Sequence, residues 1–279
     1  MYFVYKDWDD FCRELSRKGY HSVTAASLLL AANNGEKNSA RFINLKHDVE
    51  STPSKALDLA IIENKYGHFA TYYVQAYLMT EGNKHIFDHI KALGHEVTYH
   101  HDVMDGAKGD LNKAVSIFNH NISRFEDFGF PIITVCQHGN PMSDFENRDF
   151  FKSEIVQNLY PQQADIMVDF MDKIHQKYVY ISDVGMSFKI VKDPLNPISE
   201  SEEPYIDLKD WKGVIRELDA NPNKSYIISA HPHRYNANKA KAVLKISIFK
   251  CIRAIAKVVF KIPGAKMLLF RFNFISKKL

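Results

Sequence analysis

Polar and apolar residues follow one another along this chain in two rhythms. Over residues 6–18, Trp8, Phe11, Cys12 and Leu15 recur at helical spacing and predict an amphipathic helix. The run from Arg41 to Asp48 then predicts a short strand that ends on polar groups. Thr52 and Pro53 suit a helix start, Gly67 suits its stop, and Ala56, Leu57, Ala60, Ile61 and Tyr66 lie on one face between them. A second strand is expected over Phe69–Val74 and a helix over 82–93. Further strands are expected at His95–Tyr99, Ile132–Cys136, Tyr178–Ser182 and Ser225–Ala230, with helices near 110–128, 161–176 and 208–219. Strands separated by helix-length segments argue for βαβ units and a parallel sheet. Six or seven such units within about 235 residues suit an irregular (β/α) barrel better than a two-lobed fold. The stretch 193–204, rich in Pro, Ser and Glu, predicts a long loop.

Composition adds one qualification. At 279 residues, 46% hydrophobic and 25% charged, the chain has ordinary globular proportions. Three scattered cysteines, none in a CxxC pair, support neither a disulfide framework nor a zinc ribbon and favour a reducing compartment. Acids interrupt the start before any signal-like apolar run, and no 18-residue stretch is free of charge, so a cytoplasmic protein is expected. The net charge of +3 is unevenly spread. Eleven of the 36 bases lie from Asn236 onward, where there is no acid, so residues 1–235 hold 25 bases against 33 acids, about −8. The chain therefore divides into an acidic body, 1–235, and a basic tail, 236–279.

The tail has a pattern of its own. A helix from about Ile246 would put Lys250, Arg253, Lys257 and Lys261 on one face and Ile248, Ile252, Ile255, Val258 and Val259 on the other. Pro263-Gly264 interrupts it, and Met267–Ile275 follows, aromatic and cationic, before Lys277-Lys278. Such a segment either lies on an anionic membrane or packs its apolar face on the body. An acidic body argues against nucleic acid as the partner.

The histidines fall at predicted strand ends. His47-Asp48 ends the first strand and His100-His101-Asp102 the third; His138-Gly139, Asp183 and His231-Pro232-His233 follow later ones. Parallel strands bring their ends to one face, where imidazoles and carboxylates can bind a divalent metal and move protons near neutral pH. Any single His-Asp pair can equally be a solvated turn; the coincidence of several carries the argument. His85, His89, His120 and His175 lie on predicted helices and read as surface residues, and His95 and Glu96 are assigned no function.

These runs resemble a known family. Lys46-His47-Asp48-Val49-Glu50, the helix after it and Gly67–Val74 are similar to the first half of the polysaccharide deacetylase (NodB-homology, carbohydrate esterase family 4-like) domain. Gly94–His100 resembles that superfamily's second motif and Ile228–Pro232 its last, while Gln137–Ser143 and Ile181–Gly185 resemble loops of a subgroup with a His-Asp-Val first motif. The resemblance spans roughly residues 40–235. It implies that Asp48 and His100 bind a divalent metal, zinc first among candidates, that His47 stands in the place of the catalytic base, and that His231 is the general acid. Two departures matter: the base position is His, and the family's second metal histidine is Met104 here, a poor zinc ligand. His138 is the first substitute ligand, then Asp102 and His101. Asp183 is expected to orient His231, Arg148 and Asp149 to meet sugar hydroxyls, and Tyr72, Tyr99 and Tyr235 to stack on sugars unless they are core.

The implied activity is metal-dependent removal of an acetyl group from an N- or O-acetylated sugar, free or on a lipid carrier, in bacterial cell-surface glycan biosynthesis. The tail would hold the protein on the inner face of the membrane through residues 246–279. The alternatives are an inactive carbohydrate-binding relative and a barrel hydrolase acting on a non-sugar amide.

Overall fold

The computed structural model describes residues 3–35, 41–140, 143–174, 177–192 and 204–259. Its chain opens with α1 (Tyr5–Arg17), whose buried Trp8, Phe11, Cys12 and Leu15 are the expected apolar face, and α2 (Ala25–Asn33), capped by Thr24. β1 (Ile43–Val49), α3 (Pro53–Lys65), β2 (Ala70–Val74), α4 (Glu81–Ala92) and β3 (Glu96–His101) follow in the predicted alternation. Thr52 stands at the N-cap of α3, although its side chain makes no cap bond, and Gly67 takes the left-handed φ of +73° that ends the element. Next come α5 (Val103–Ala107), α6 (Leu111–Asp127), β4 (Thr134–Gln137), and two short helices, α7 (Asp149–Lys152) and α8 (Glu154–Leu159).

Where one helix was expected over 161–176, the chain forms β5 (Ala164–Asp165) and a short α9 (Phe170–Ile174). The Asp165 carboxylate accepts from the backbone N–H of Met167 and Val168, a turn that competes with the helical ladder. His175 lies outside the described residues, as do 193–203 of the expected loop. After β6 (Tyr178–Ser182) an unpredicted antiparallel extension, β7 (Phe188–Val191) and β8 (Tyr205–Lys209), precedes α10 (Trp211–Ala220) and β9 (Ser225–Ala230). The tail helix α11 (Lys239–Val259) begins earlier than expected. It is anchored by Ala242, which is buried, and by Ile246, which packs on the core.

One nine-stranded sheet in the order β5-β4-β3-β2-β1-β9-β6-β7-β8 organises the chain. The first seven of these strands pair in parallel, and β7 and β8 continue the sheet antiparallel. The fold is thus mixed α/β with a mostly parallel sheet, as the alternation implied. Among the described residues β5 and β8 end the sheet without pairing, so no closed ring of hydrogen bonds is formed. The larger core joins α1, α3, α4, α6 and α10 to one face through Trp8, Leu59, Phe87, Phe118 and Val214. A smaller core on the other face joins α2 and α9 to Tyr73, Cys136 and Ile227. Among the described residues no helix is long and apolar enough to cross a membrane.

Candidate metal centre and histidine–aspartate pair

Side chains alternate between the faces of a strand, and parallel neighbours in register share a face. On β1 this separates Lys46 and Asp48, with Glu50 just beyond the strand, from His47 and Val49. Register carries the first set across the sheet: Lys46 pairs with Ser229 and Asp48 with Tyr73, while His100 pairs with Cys136. Lys46, Asp48, Glu50, His100, Cys136, Tyr180 and His231 line a single cavity of about 230 Å³.

Three of these strand ends supply a compact donor set. His138 Nδ1 lies 3.3 Å from His100 Nε2 and 3.1 Å from Glu50 Oε1, and His100 Nε2 lies 3.8 Å from the same oxygen. Ligands on a tetrahedral ion with bonds of about 2.0–2.1 Å stand about 3.3–3.4 Å apart, so the spacing fits. The chemistry fits as well. His100 Nδ1 faces the Cys136 carbonyl at 3.0 Å, which demands an N–H there and leaves the Nε2 lone pair for a metal. Burial pushes His100 below its ordinary value, which favours the neutral ring. Burial alone would raise Glu50, but the ring nitrogens of His100 and His138 outweigh it and hold the carboxyl well below the usual range.

Asp48, expected as a metal ligand, lines the cavity with His100 and belongs to one of the two groups there that could hold an ion. Both its oxygens are taken by the Lys46 ammonium, at 2.5 and 2.6 Å, deep in the cavity wall. Burial opposes ionisation of Asp48, yet Lys46, with His100 and His231 nearby, holds it at about 2. Asp48, His100 and the Cys136 thiol also present atoms within 4.8 Å of one another. That group suits a metal poorly, because a cation already sits on Asp48 and burial pushes the Cys136 thiol up.

His231 lines the same cavity; its Nδ1 lies 2.7 Å from Asp183 Oδ1, and its backbone N–H bonds the other oxygen at 3.0 Å. Arg234 holds Asp183 from behind. Against the effect of burial, Arg234 and His231 keep the Asp183 carboxyl far below the ordinary range. With Nδ1 committed, His231 Nε2 faces the cavity, 3.8 Å from Asp48 Oδ2.

Other expected residues lie elsewhere. His47 does not reach the cavity: its ring is fully buried on the opposite face, 2.6 Å from Glu63 Oε1, stacked on Tyr72 and edge-on to Trp8. One step of strand parity separates it from Asp48. His101 shares that opposite face and bonds Asp165 at 3.0 Å, and Asp102 caps α5 beyond the strand. Met104 packs in the larger core. Arg148 pairs with Glu146 at 3.2 Å, and neither it nor Asp149, which opens α7, lines the cavity. Tyr72, Tyr99 and Tyr235 are fully buried core residues, not sugar platforms. His85, His89 and His120 are exposed, as expected. Glu50, Lys46, Arg234 and Tyr180 were missed. The signal for the first two was the i, i+2, i+4 spacing of Lys46, Asp48 and Glu50 along one strand.

No family model matches the chain, and no curated protein matches it. Several solved structures are similar in fold. A Streptococcus mutans CE4 esterase aligns at 15% identity over 85% of this chain and 90% of that one, with a TM-score of 0.43. A BA3943 mutant, a CE4 family pseudoenzyme with restored enzymatic activity, aligns at 10% identity over 76% of this chain and 64% of its own, with a TM-score of 0.45. The Bacillus subtilis peptidoglycan deacetylase PdaC aligns at 12% identity over 81% of this chain and 98% of its own, with a TM-score of 0.36. At these identities and TM-scores the chemistry is argued from the chain's own residues alone.

Proposed function

We propose that this chain is a metal-dependent hydrolase that removes an acetyl group from an N- or O-acetylated sugar in bacterial cell-surface glycan assembly. The observation that carries the reading is the meeting of two groups at one cavity: Glu50 and His100, with His138 within 3.3 Å of both, and His231, which lines the same cavity and is fixed by Asp183. The motif resemblance over residues 40–235 points to the same substrate class. A zinc-like ion held by Glu50, His100 and His138 would polarise the acetyl carbonyl and acidify water.

Proton transfer falls to His231, since His47 lies on the other face. Asp183 fixes the Nδ1–H tautomer, which leaves Nε2 to take a proton from the attacking water. As the bond from the acyl carbon to the sugar nitrogen or oxygen breaks, the same Nε2 returns that proton to the leaving atom. Acetate and the free sugar amine or hydroxyl result. Asp48, held at about 2 and paired with Lys46, is too weak a base for this task.

The test joins elemental analysis to acetate release from N- and O-acetylated oligosaccharides. Near-stoichiometric zinc, lost in His100→Ala and in His138→Ala, is expected. His231→Ala should abolish acetate release with the metal retained, and Asp183→Asn should lower kcat by about 10²–10⁴-fold. A protein that takes up no ion even in excess zinc would sink the hydrolase reading. Sugar binding without turnover would instead favour an inactive carbohydrate-binding relative, a reading supported by the Lys46–Asp48 pair. We place the protein at the inner face of the membrane through its basic tail, where a lipid-linked glycan would be met.

A further inference from the structure

The cavity holds two overlapping groups that could take a cation, and both use His100: Asp48 with His100 and Cys136, and Glu50 with His100 and His138. Only the first also contains a cation of the chain's own. Lys46 is 1% exposed, its ammonium lies over the Tyr73 ring at 5.5 Å, and it reaches both oxygens of Asp48. Asp48 also has the Ser229 hydroxyl at 3.5 Å and His231 Nε2 at 3.8 Å, besides His100 and Cys136. Lys46, Asp48 and Glu50 stand on one face of one chain segment, so the carboxylate left to a metal is the one two residues further along.

We propose that Lys46 is a built-in cation that selects the ligand set of this site: by neutralising Asp48 it excludes that carboxylate from the metal and assigns the ligand role to Glu50. The proposal rests on the metal-dependent reading of the site and adds a residue that decides which carboxylate serves it. Asp48 and a divalent ion cannot both be satisfied while Lys46 is present. Two cations on one largely buried carboxylate repel each other more strongly than they would in bulk water. Replacing the ammonium by an uncharged chain of similar length removes that repulsion. It also leaves Asp48 needing a positive partner, which an ion beside His100 would supply. Lys46 is thus a specificity-determining residue that acts through Asp48 and does not touch the ion.

The experiment is zinc and cobalt affinity of the full chain, measured on metal-stripped protein by competition with a chromophoric chelator, with the cobalt absorption spectrum recorded for each complex. Four variants decide it: Glu50→Gln, Asp48→Asn, Lys46→Met and the double variant Lys46→Met with Glu50→Gln. Glu50→Gln should weaken binding at least about tenfold, and Asp48→Asn should stay within about threefold of the parent. Lys46→Met should bind more tightly. The double variant should regain most of the affinity that Glu50→Gln loses, with a cobalt spectrum altered from the parent's. If Asp48→Asn weakens binding as much as Glu50→Gln does, or if the double variant binds no better than Glu50→Gln alone, the proposal is overturned.

Folding is monitored because Lys46→Met leaves a buried charge. Should that variant not fold, Lys46→Met with Asp48→Asn, which removes both charges, takes its place. It should then retain the parent's affinity and the parent's dependence on Glu50. Loss of that affinity overturns the proposal. A parent that binds no ion fails the hydrolase reading by itself. In that event Lys46→Met still decides about Lys46: uptake of an ion upholds its role as the internal cation, and no uptake ends it.

Discussion

Glu63 is wholly buried and accepts three hydrogen bonds, from Trp8 at 3.0 Å, His47 at 2.6 Å and Tyr72 at 2.6 Å. Burial would raise its pKa, but the neighbouring His47 outweighs this and keeps the carboxylate ionised. His47 is therefore part of the scaffold. Leaving a buried acceptor short of a hydrogen bond costs about 1–3 kcal/mol, more when it is charged, so His47→Leu should lower urea-unfolding stability by that order. Zinc content should not change, and unaltered stability would show that the pair contributes nothing. Asp169 provides a pH test. Its Oδ1 has no partner, and burial, followed by the nearby Asp165, raises its carboxyl to about 7. A carboxyl raised above its unfolded value binds its proton more tightly in the folded state between about pH 4 and 7. Its contribution is thus most favourable below about pH 4 and is lost as pH rises through that window, by no more than ~4 kcal/mol. Asp169→Asn should flatten the slope of stability from about pH 4 to 7; an unchanged slope would refute the assignment.

At the scale of elements, α10 and the antiparallel extension meet through Gly213. A Cβ added there would stand 1.9 Å from the Leu208 carbonyl oxygen, which is backbone and cannot move aside alone. Gly213→Ala should therefore cost about 1–3 kcal/mol or more, read as a lower midpoint in urea, whereas Gly82→Ala, whose Cβ would meet nothing nearer than Thr80 Oγ1 at 4.0 Å, should cost far less. Indifference at both sites would mean that the extension yields. Most helices and strands of this chain were legible from apolar spacing, because each buries one face against a single sheet. β7 and β8 were not. Tyr205–Lys209 is largely exposed, so its pattern lacks the alternation that a half-buried strand writes into sequence. The split of 161–176 was hidden for another reason: its apolar residues Ile166, Met167, Phe170 and Ile174 are buried whether the segment is helical or broken, and a carboxylate turn decided between the two.

For the whole molecule, the charge division becomes a shape. The acidic body is stitched to the start of the basic segment, where Asn236 N–H bonds Phe3 and Tyr5 N–H bonds Asn236. Beyond it α11 turns Ala242 inward and leaves Val243 40%, Leu244 61% and Ile248 36% exposed. The apolar stripe is thus only partly covered by the body, on a segment with eleven bases and no acid. An anionic lipid surface matches both features. The full chain should cosediment with vesicles containing an anionic phospholipid and much less with neutral ones. Leu244→Asp combined with Ile248→Asp should reduce that binding severalfold without loss of folding. Equal cosedimentation with neutral and anionic vesicles would end the idea. The features expected from residue 260 onward lie outside the described residues.

By itself the sequence determined the α/β class, the order of most elements, the polar strand ends and the charge division. Each of these depends on spacing or composition within a short window, where period and burial are directly linked. Only the tertiary structure decided which polar residues meet. It turned His47 onto Glu63, paired Lys46 with Asp48, and set Glu50 beside His100 and His138. Asp183 and His231, expected from the sequence to meet, lie 2.7 Å apart. Apart from Lys46 and Asp48, which share β1, these pairings join residues of different elements, and whether each faces the cavity depends on parity, register and what packs behind the sheet. A single residue's shift along β1 would exchange the two faces, and with them the scaffold and the site.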